Sequence, residues 1–370
     1  MYKKIKQLIG LLILITLLAL FAACGRGGEE DENGYEYDYP PDGYEIYEDN
    51  DYYPTPSPEP IVHDGIHGMI SIVEYGGNRV YILGSIHIGS PEWYPLSTVV
   101  EEAMGRADAF AFEIDLSAEG GPCLCEADSC DCGCEPDVSE CICLLLEMMF
   151  LPDGITLEYF LPEDVYSIFM ENLNTFPIFI DAVRPLRPTT ISELILYEVV
   201  APSLGMSSEH SIDMYVFNRA QSLERPVIGL TDFNDHIAFV TGMPDEYQIA
   251  TARYFTDFET TLEELQELAH IYATQNIVAL AHMATTDLQE AHEAYEAGEL
   301  SAGGLALARH WHYNVGNYRS DFFARQIADL LTQTQEPTTF FVTVGIAHLT
   351  REVNVFYVLE QLGFDVQRMW

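Results

Sequence analysis

The sequence predicts an α/β fold in which helices flank a central, mainly parallel sheet. Three apolar runs, at 80–83, 109–112 and 340–344, have the length and composition of buried strands. An amphipathic helical pattern separates the first two runs, and strand, helix, strand is the crossover unit of a parallel sheet. A β-hairpin is predicted to open the sheet, and helical patterns fill the middle of the chain.

The first 24 residues indicate an export signal. Three lysines precede an apolar run over 8–21, which ends in two alanines and Cys24. A basic segment, a short apolar segment and small residues are typical of a secretory leader. The cysteine after two alanines resembles a bacterial lipoprotein signal, and an uncleaved signal anchor is the alternative. We predict a mature chain that begins at Cys24 and is lipid-anchored on the extracytoplasmic face of the cell membrane.

Residues 25–62 are predicted to form a tether. They are acidic, rich in tyrosine and proline, and show no apolar periodicity. Such a segment buries too little apolar surface to fold, and its like charges repel one another. We therefore expect a disordered tether, with a partner-binding tail as the alternative, ahead of one domain over 63–370.

Composition narrows the classes of function. The hydrophobic fraction of 48% permits a large core, and the formal net charge is −43, from 16 basic and 59 acidic side chains. This charge argues against nucleic acid as a partner, because phosphate binding needs a basic surface. The chain also lacks the Gly-x-Ser-x-Gly motif of serine hydrolases and the glycine-rich motifs of nucleotide sites.

The domain opens with the predicted hairpin, in which 68–75 and 79–83 flank a Gly-Gly-Asn turn. A helix is predicted over 96–106, and the strand at 109–112 then ends at Glu113. Further along, a short strand at 227–230 ends at Thr231-Asp232. The remaining predicted elements are helices at 156–173, 191–200, 211–223, 262–276, 287–297 and 318–331, a strand at 338–344, a helix at 352–362 and a strand at 364–369.

A cysteine-rich segment at about 117–145 interrupts this pattern as an insertion. It holds seven of the eight cysteines, spaced among acidic residues. Disulfides are usual in an exported protein, and here they would join non-neighbouring cysteines. A thiolate metal cluster is the alternative, because Cys-x-Cys steps suit soft metals. A loop of free thiols without a special role is a third interpretation.

Predicted strands deliver two histidines and one glutamate to their C-terminal ends. His87 closes a Gly-Ser-Ile-His motif, His348 closes a Gly-Ile-Ala-His motif, and Glu113 ends the strand between them in the chain. The C-terminal ends of parallel strands share one edge, where ligands usually bind, and Asp232 is expected there too. Two imidazoles and a carboxylate suit a divalent transition metal of the Mn, Co or Zn class. Alternatively, both histidines cap strand ends and bind nothing.

The order of these motifs resembles the TraB/GumN family, which is related to the Tiki proteins. The resemblance runs from Gly68 to the C-terminus. It rests on Leu-Gly-Ser-Ile-His at His87, Phe-Glu-Ile-Asp at Glu113, Ser-Ile-Asp at Asp213, an arginine-bearing helix at Arg319 and Val-Gly-Ile-Ala-His-Leu at His348.

The resemblance implies a metal-dependent hydrolase of peptide or other acyl bonds, with a peptide or cell-wall substrate. His87, Glu113 and His348 would hold the metal, or Glu113 would instead act as the general base. Arg319 would stabilise an oxyanion or hold a substrate carboxylate.

The sequence departs from the family pattern in four places. Thr231-Asp232 replaces Glu-Thr, Asp235-His236 replaces a Glu-Gln pair, Ser320 replaces an asparagine, and Arg351 replaces a glycine. Asp232 is the candidate substitute for the missing glutamate. These departures, with the cysteine-rich insertion, motivate a second hypothesis, a surface lipoprotein that binds a metal, haem or cell-wall ligand without turnover.

Overall fold

A computed structural model of the chain describes residues 64–117, 149–231, 244–284, 288–334 and 336–370. The predicted leader and tether, the cysteine-rich segment from residue 118 onwards, and Asp232 lie outside the described residues. Among the helices described, none is long and apolar enough to cross a membrane.

A six-stranded sheet forms the centre of the described domain, with the strand order β4-β3-β5-β2-β1-β6. β3 pairs in parallel with β4 and β5, and β5 pairs in parallel with β2. The mainly parallel sheet predicted from the sequence is therefore confirmed. Its strands are β1 (Ser71–Tyr75), β2 (Asn78–Ser85), β3 (Ala109–Ile114), β4 (Val227–Thr231), β5 (Thr339–Gly345) and β6 (Val366–Arg368).

The predicted hairpin is also confirmed, because β1 pairs antiparallel with β2 across the turn at Gly76 and Gly77. Both glycines have positive φ, 61° and 98°, a region that L side chains rarely adopt. β6 pairs antiparallel with β1, so it runs in the same direction as β5 but lies beyond β2 and β1.

Helices cover the sheet and build the middle of the chain. The α-helices of four or more residues are α1 (Thr98–Arg106), α2 (Leu157–Phe160), α3 (Glu163–Leu173), α4 (Ile180–Val183), α5 (Pro188–Ile195), α6 (Ile212–Ser222), α7 (Asp245–Arg253), α8 (Phe258–Ala273), α9 (Ile277–Ala284), α10 (Leu288–Glu296), α11 (Ala302–Arg309), α12 (Arg319–Gln333), α13 (Ala347–Thr350) and α14 (Val355–Gln361).

Several predicted helices have different bounds in the structure, and two of these differences are informative. The pattern over 156–173 is split into α2 and α3 at Pro162, which is the residue before the first turn of α3 and cannot continue a helix from α2. The helix predicted at 318–331 is joined to α11 by a π-helical segment, His310–Tyr318. π-helical turns occur frequently at functional sites.

The described domain has two hydrophobic cores. One surrounds the sheet and includes α6, and the other lies among α2 to α5, α7 and part of α8. The chain passes from one core to the other immediately after β2, because Ile86 packs against the first and Ile88 is buried in the second. His87 lies between them, at the junction of the two packed regions.

Candidate functional site

The parallel strands bring three sequence-predicted residues to one edge of the sheet. In the register of β2 and β5, Ser85 is opposite Gly345. β3 pairs with β5 up to Phe112, so Glu113 follows at the same level. His87 follows β2 and His348 follows β5, whereas Asp232 lies outside the described residues.

The glycines of the two Gly-x-x-His motifs allow close approach and do not turn the chain. Gly84 lies inside β2, and neither Gly84 nor Gly345 has a positive φ. A Cβ at Gly84 would lie 2.2 Å from Cδ1 of Ile346, and one at Gly345 would lie 3.2 Å from Oε1 of Glu113. The missing side chains therefore let the end of β5 pack against β2 and let Glu113 reach the backbone.

Glu113 is held from both sides. Its Oε2 accepts a hydrogen bond from Nη2 of Arg319 at 2.9 Å, and its Oε1 accepts one from the backbone N–H of Gly345 at 2.8 Å. Arg319 is itself buried, with its Cζ 4.9 Å from the centre of the Phe323 ring. Charge-assisted bonds in a buried setting fix the carboxylate. Arg319 therefore positions Glu113, and its predicted role at an oxyanion stays a prediction.

His348 is buried, and its hydrogen bonds assign its tautomer. The Ser320 hydroxyl donates to the carbonyl of Gly316 at 2.7 Å, so its oxygen accepts from Nδ1–H of His348 at 3.0 Å. Burial lowers the pKa of His348 to about 4; Glu113 opposes this shift, and the nearby arginines Arg319 and Arg351 add to it. The ring is therefore neutral at pH 7, and Nε2 carries the lone pair.

The Ser320 hydroxyl thus supplies an oxygen where the family pattern has an asparagine. Although serine replaces asparagine here, Nδ1 of His348 still has a hydrogen-bond partner, so the imidazole keeps a defined orientation.

His87 differs from His348 in both exposure and charge. Its side chain is 60% exposed, and Nδ1 lies 2.9 Å from Oδ2 of Asp213. The negative charge of Asp213 is the main cause that raises the pKa of His87 to about 9, and Glu113 adds to it. The other oxygen of Asp213 accepts from the Ser85 hydroxyl at 2.7 Å. The carboxylate is therefore fixed. Nε2 of His87 carries a proton when the ring is charged, so it could bind a metal only by releasing that proton.

Helix α6 places Asp213. Ser211 caps the helix, since its side chain accepts from the N–H of Met214. Asp213 then lies in the first turn, where the helix dipole favours a negative charge. The Ser-Ile-Asp motif contained the signal for this residue, but sequence reasoning did not place it at the site because α6 is remote from both histidines in the chain.

The donor atoms suit a cation without forming a preformed metal cage. Nε2 of His348 lies 3.9 Å from Oε1 of Glu113, and two ligands that each lie about 2.0–2.2 Å from one ion can be this far apart. Both imidazoles have Nδ1 bonded to a protein oxygen, as metal-binding histidines usually do. Within the described ranges, however, no three His, Cys, Asp or Glu side chains are spaced to hold a metal ion.

Comparisons with known proteins agree with the motif order. The family model described as the TraB/PrgY/gumN family matches residues 69–368. The chain is 25% identical over 199 residues to the uncharacterized protein YbaP of Escherichia coli strain K12, and equally to that of Shigella flexneri. Each alignment covers 54% of this chain and 66% of the relative. No solved structure matches the chain.

Proposed function

Because this chain belongs to the TraB/PrgY/gumN family, we propose that it is a metal-dependent hydrolase of peptide or other acyl bonds. The observation that carries the proposal is the pair of imidazoles, His87 and His348, which each bond a protein oxygen through Nδ1. Nε2 of His348 carries a lone pair, and Nε2 of His87 would bind an ion in place of the proton that it holds at pH 7. Glu113 supplies a carboxylate oxygen beside Nε2 of His348.

The protein residues divide into those that would bind the ion and those that orient them. His87, His348 and Glu113 would hold a divalent transition metal of the Mn, Co or Zn class. Both oxygens of Glu113 already accept hydrogen bonds, an arrangement that favours a fixed anionic ligand over a mobile base. A bound ion of this class polarises a scissile carbonyl and activates water at neutral pH.

The orienting residues act on the ligands through hydrogen bonds. Asp213 holds the ring of His87, Ser320 holds the ring of His348, and Arg319 holds Glu113. Losing such a supporting contact typically costs 10- to 100-fold in metal affinity or activity. We propose further that the lipid at Cys24 places the domain at the extracytoplasmic face of the membrane, where peptides and the cell wall are its substrates.

The test uses the full chain and measures bound metal and hydrolysis together. We expect the purified protein to hold about one divalent ion and to cleave members of a panel of quenched peptides and aryl esters. His87→Ala should lose the ion and lower hydrolysis by at least about 100-fold. His292→Ala, a histidine on α10 that contacts Arg309, is the matched control and should change neither quantity.

Full activity in His87→Ala would contradict the proposal. Tight metal uptake without cleavage of any peptide or ester would instead favour the second hypothesis, a ligand-binding lipoprotein without turnover.

A further inference from the structure

Arg351 is a cation beside the site that has no partner of opposite charge among the described residues. It directly follows α13, three residues after His348, and is half-buried. Among the residues that the structure describes, no carboxylate forms an ion pair with it. Its Nη1 donates to the backbone carbonyl of Trp311 at 3.2 Å, and its buried Nε has no hydrogen-bond partner within the part of the chain that the structure describes. A partly buried charge without a counter-charge lowers the stability of the fold, and a bound anion would offset this cost.

The fold holds the guanidinium in place at Gly316. A Cβ at Gly316 would lie 2.0 Å from Nη1 and 2.9 Å from Cζ of Arg351. Gly316 belongs to the π-helical segment His310–Tyr318, and its carbonyl accepts the Ser320 hydroxyl that fixes His348. The same short segment therefore supports both the imidazole and the guanidinium.

Arg351 also acts electrostatically on the site, since its positive charge is among the causes that lower the pKa of His348. Burial lowers the pKa of Arg351 itself to about 10, so the side chain remains charged at pH 7. A planar guanidinium with unused donors matches a carboxylate, to which it can donate two parallel hydrogen bonds.

We propose that Arg351 binds a carboxylate of the substrate beside His348, so that the site selects acyl compounds with a negative charge near the scissile bond. This inference rests on the proposed hydrolase function and specifies the class of substrate on which the hydrolase acts. It also gives a function to the departure from the family pattern at Arg351, which adds a positive charge.

The test compares the binding of two probes to the full chain, N-acetyl-Ala-Ala as the free acid and as the amide, by calorimetry without added metal. We expect the acid to bind the unmodified protein about 10- to 100-fold more tightly, the effect of a charge-assisted hydrogen bond. Arg351→Met, which keeps the apolar stem, and Arg351→Gly should both lose this preference. Gly316→Ala should weaken it, because the new Cβ displaces the guanidinium.

Arg106→Met is the matched control, because Arg106 is an exposed arginine on α1 that pairs with Glu102. It should keep the full preference for the acid. Thermal melts of all four variants establish that each is folded. A preference that persists in Arg351→Met, or an unmodified protein that binds the acid no better than the amide, would overturn the proposal.

A third probe, N-acetyl-Asp-Ala amide, distinguishes a side-chain carboxylate from a chain terminus. Tight binding of this probe would assign side-chain carboxylates, and weak binding beside tight binding of the free acid would assign the terminus; both results support the anion site. Because binding is measured without turnover, a protein that binds the acid but hydrolyses nothing would contradict the proposed hydrolase function and would still support the anion site at Arg351.

Discussion

At the scale of single residues, the two site histidines are in opposite charge states. His348 is buried and neutral, whereas His87 is exposed beside Asp213 and protonated at pH 7. The sequence predicted both from their strand ends, together with Glu113. It did not predict the difference between them, because the difference depends on Asp213 and on burial, and neither follows from the neighbouring sequence.

Removing the charge of Asp213 should shift the titration of His87. In Asp213→Asn we expect the pKa of His87 to fall from about 9 towards its ordinary value of 6.5, because the main cause of the shift is lost. The measurement is an NMR titration of the imidazole signals in metal-free protein. Asp321→Asn, at a surface pair with Arg325, is the control and should leave the value unchanged. An unaltered titration of His87 in Asp213→Asn would refute this account.

The same shift has a consequence for stability against pH. The folded protein keeps the proton of His87 up to about pH 9, whereas the unfolded chain releases it near pH 6.5. The contribution of the His87–Asp213 pair to the free energy of unfolding is therefore complete below pH 6.5 and is lost as the pH rises to about 9. Solvent at the exposed ring screens the pair, so the change is small.

At the scale of elements, the strands were the most predictable part. β2 to β5 lie within two residues of their predicted bounds, because a buried strand is a short apolar run between turn residues, whereas β1 begins three residues later than predicted. Helix ends were less predictable, and the π-helical segment before α12 was not predicted. Such a segment inserts one residue into a helical repeat, and no composition or periodicity in the sequence marks it.

The segment that follows β2 packs against the segment that precedes α6, and this packing depends on Gly89. It forms an antiparallel bridge with Ser207, and an added Cβ would lie 1.8 Å from the carbonyl oxygen of His210. Because the clash is with backbone, Gly89→Ala should lower the free energy of unfolding by about 1–3 kcal/mol in urea titrations. Gly105→Ala, where a Cβ meets nothing within 4 Å, should instead stabilise α1 by about 0.5–1 kcal/mol. Equal effects of the two changes would contradict the assigned contact.

At the scale of the whole molecule, the net charge of −43 opposes folding through self-repulsion. Raising the salt concentration from about 0.01 M to 0.15 M shortens the screening length from about 30 Å to 8 Å. We therefore expect the melting temperature to rise with sodium chloride, as measured by calorimetry. A neutral osmolyte at equal osmolality is the control. A melting temperature that does not change with the salt concentration would disprove the expectation.

The position of β5 bears on when the chain can fold during its synthesis. β5 is the last strand but one in the chain, yet it lies between β3 and β2 and is bonded to both. Until the ribosome has made β5, the β1–β2 hairpin and the β3–β4 pair cannot join into one sheet, because each of them hydrogen-bonds to β5. The nascent polypeptide therefore waits for almost its full length before its centre can assemble, and a prematurely terminated product lacks the strand that joins its two halves.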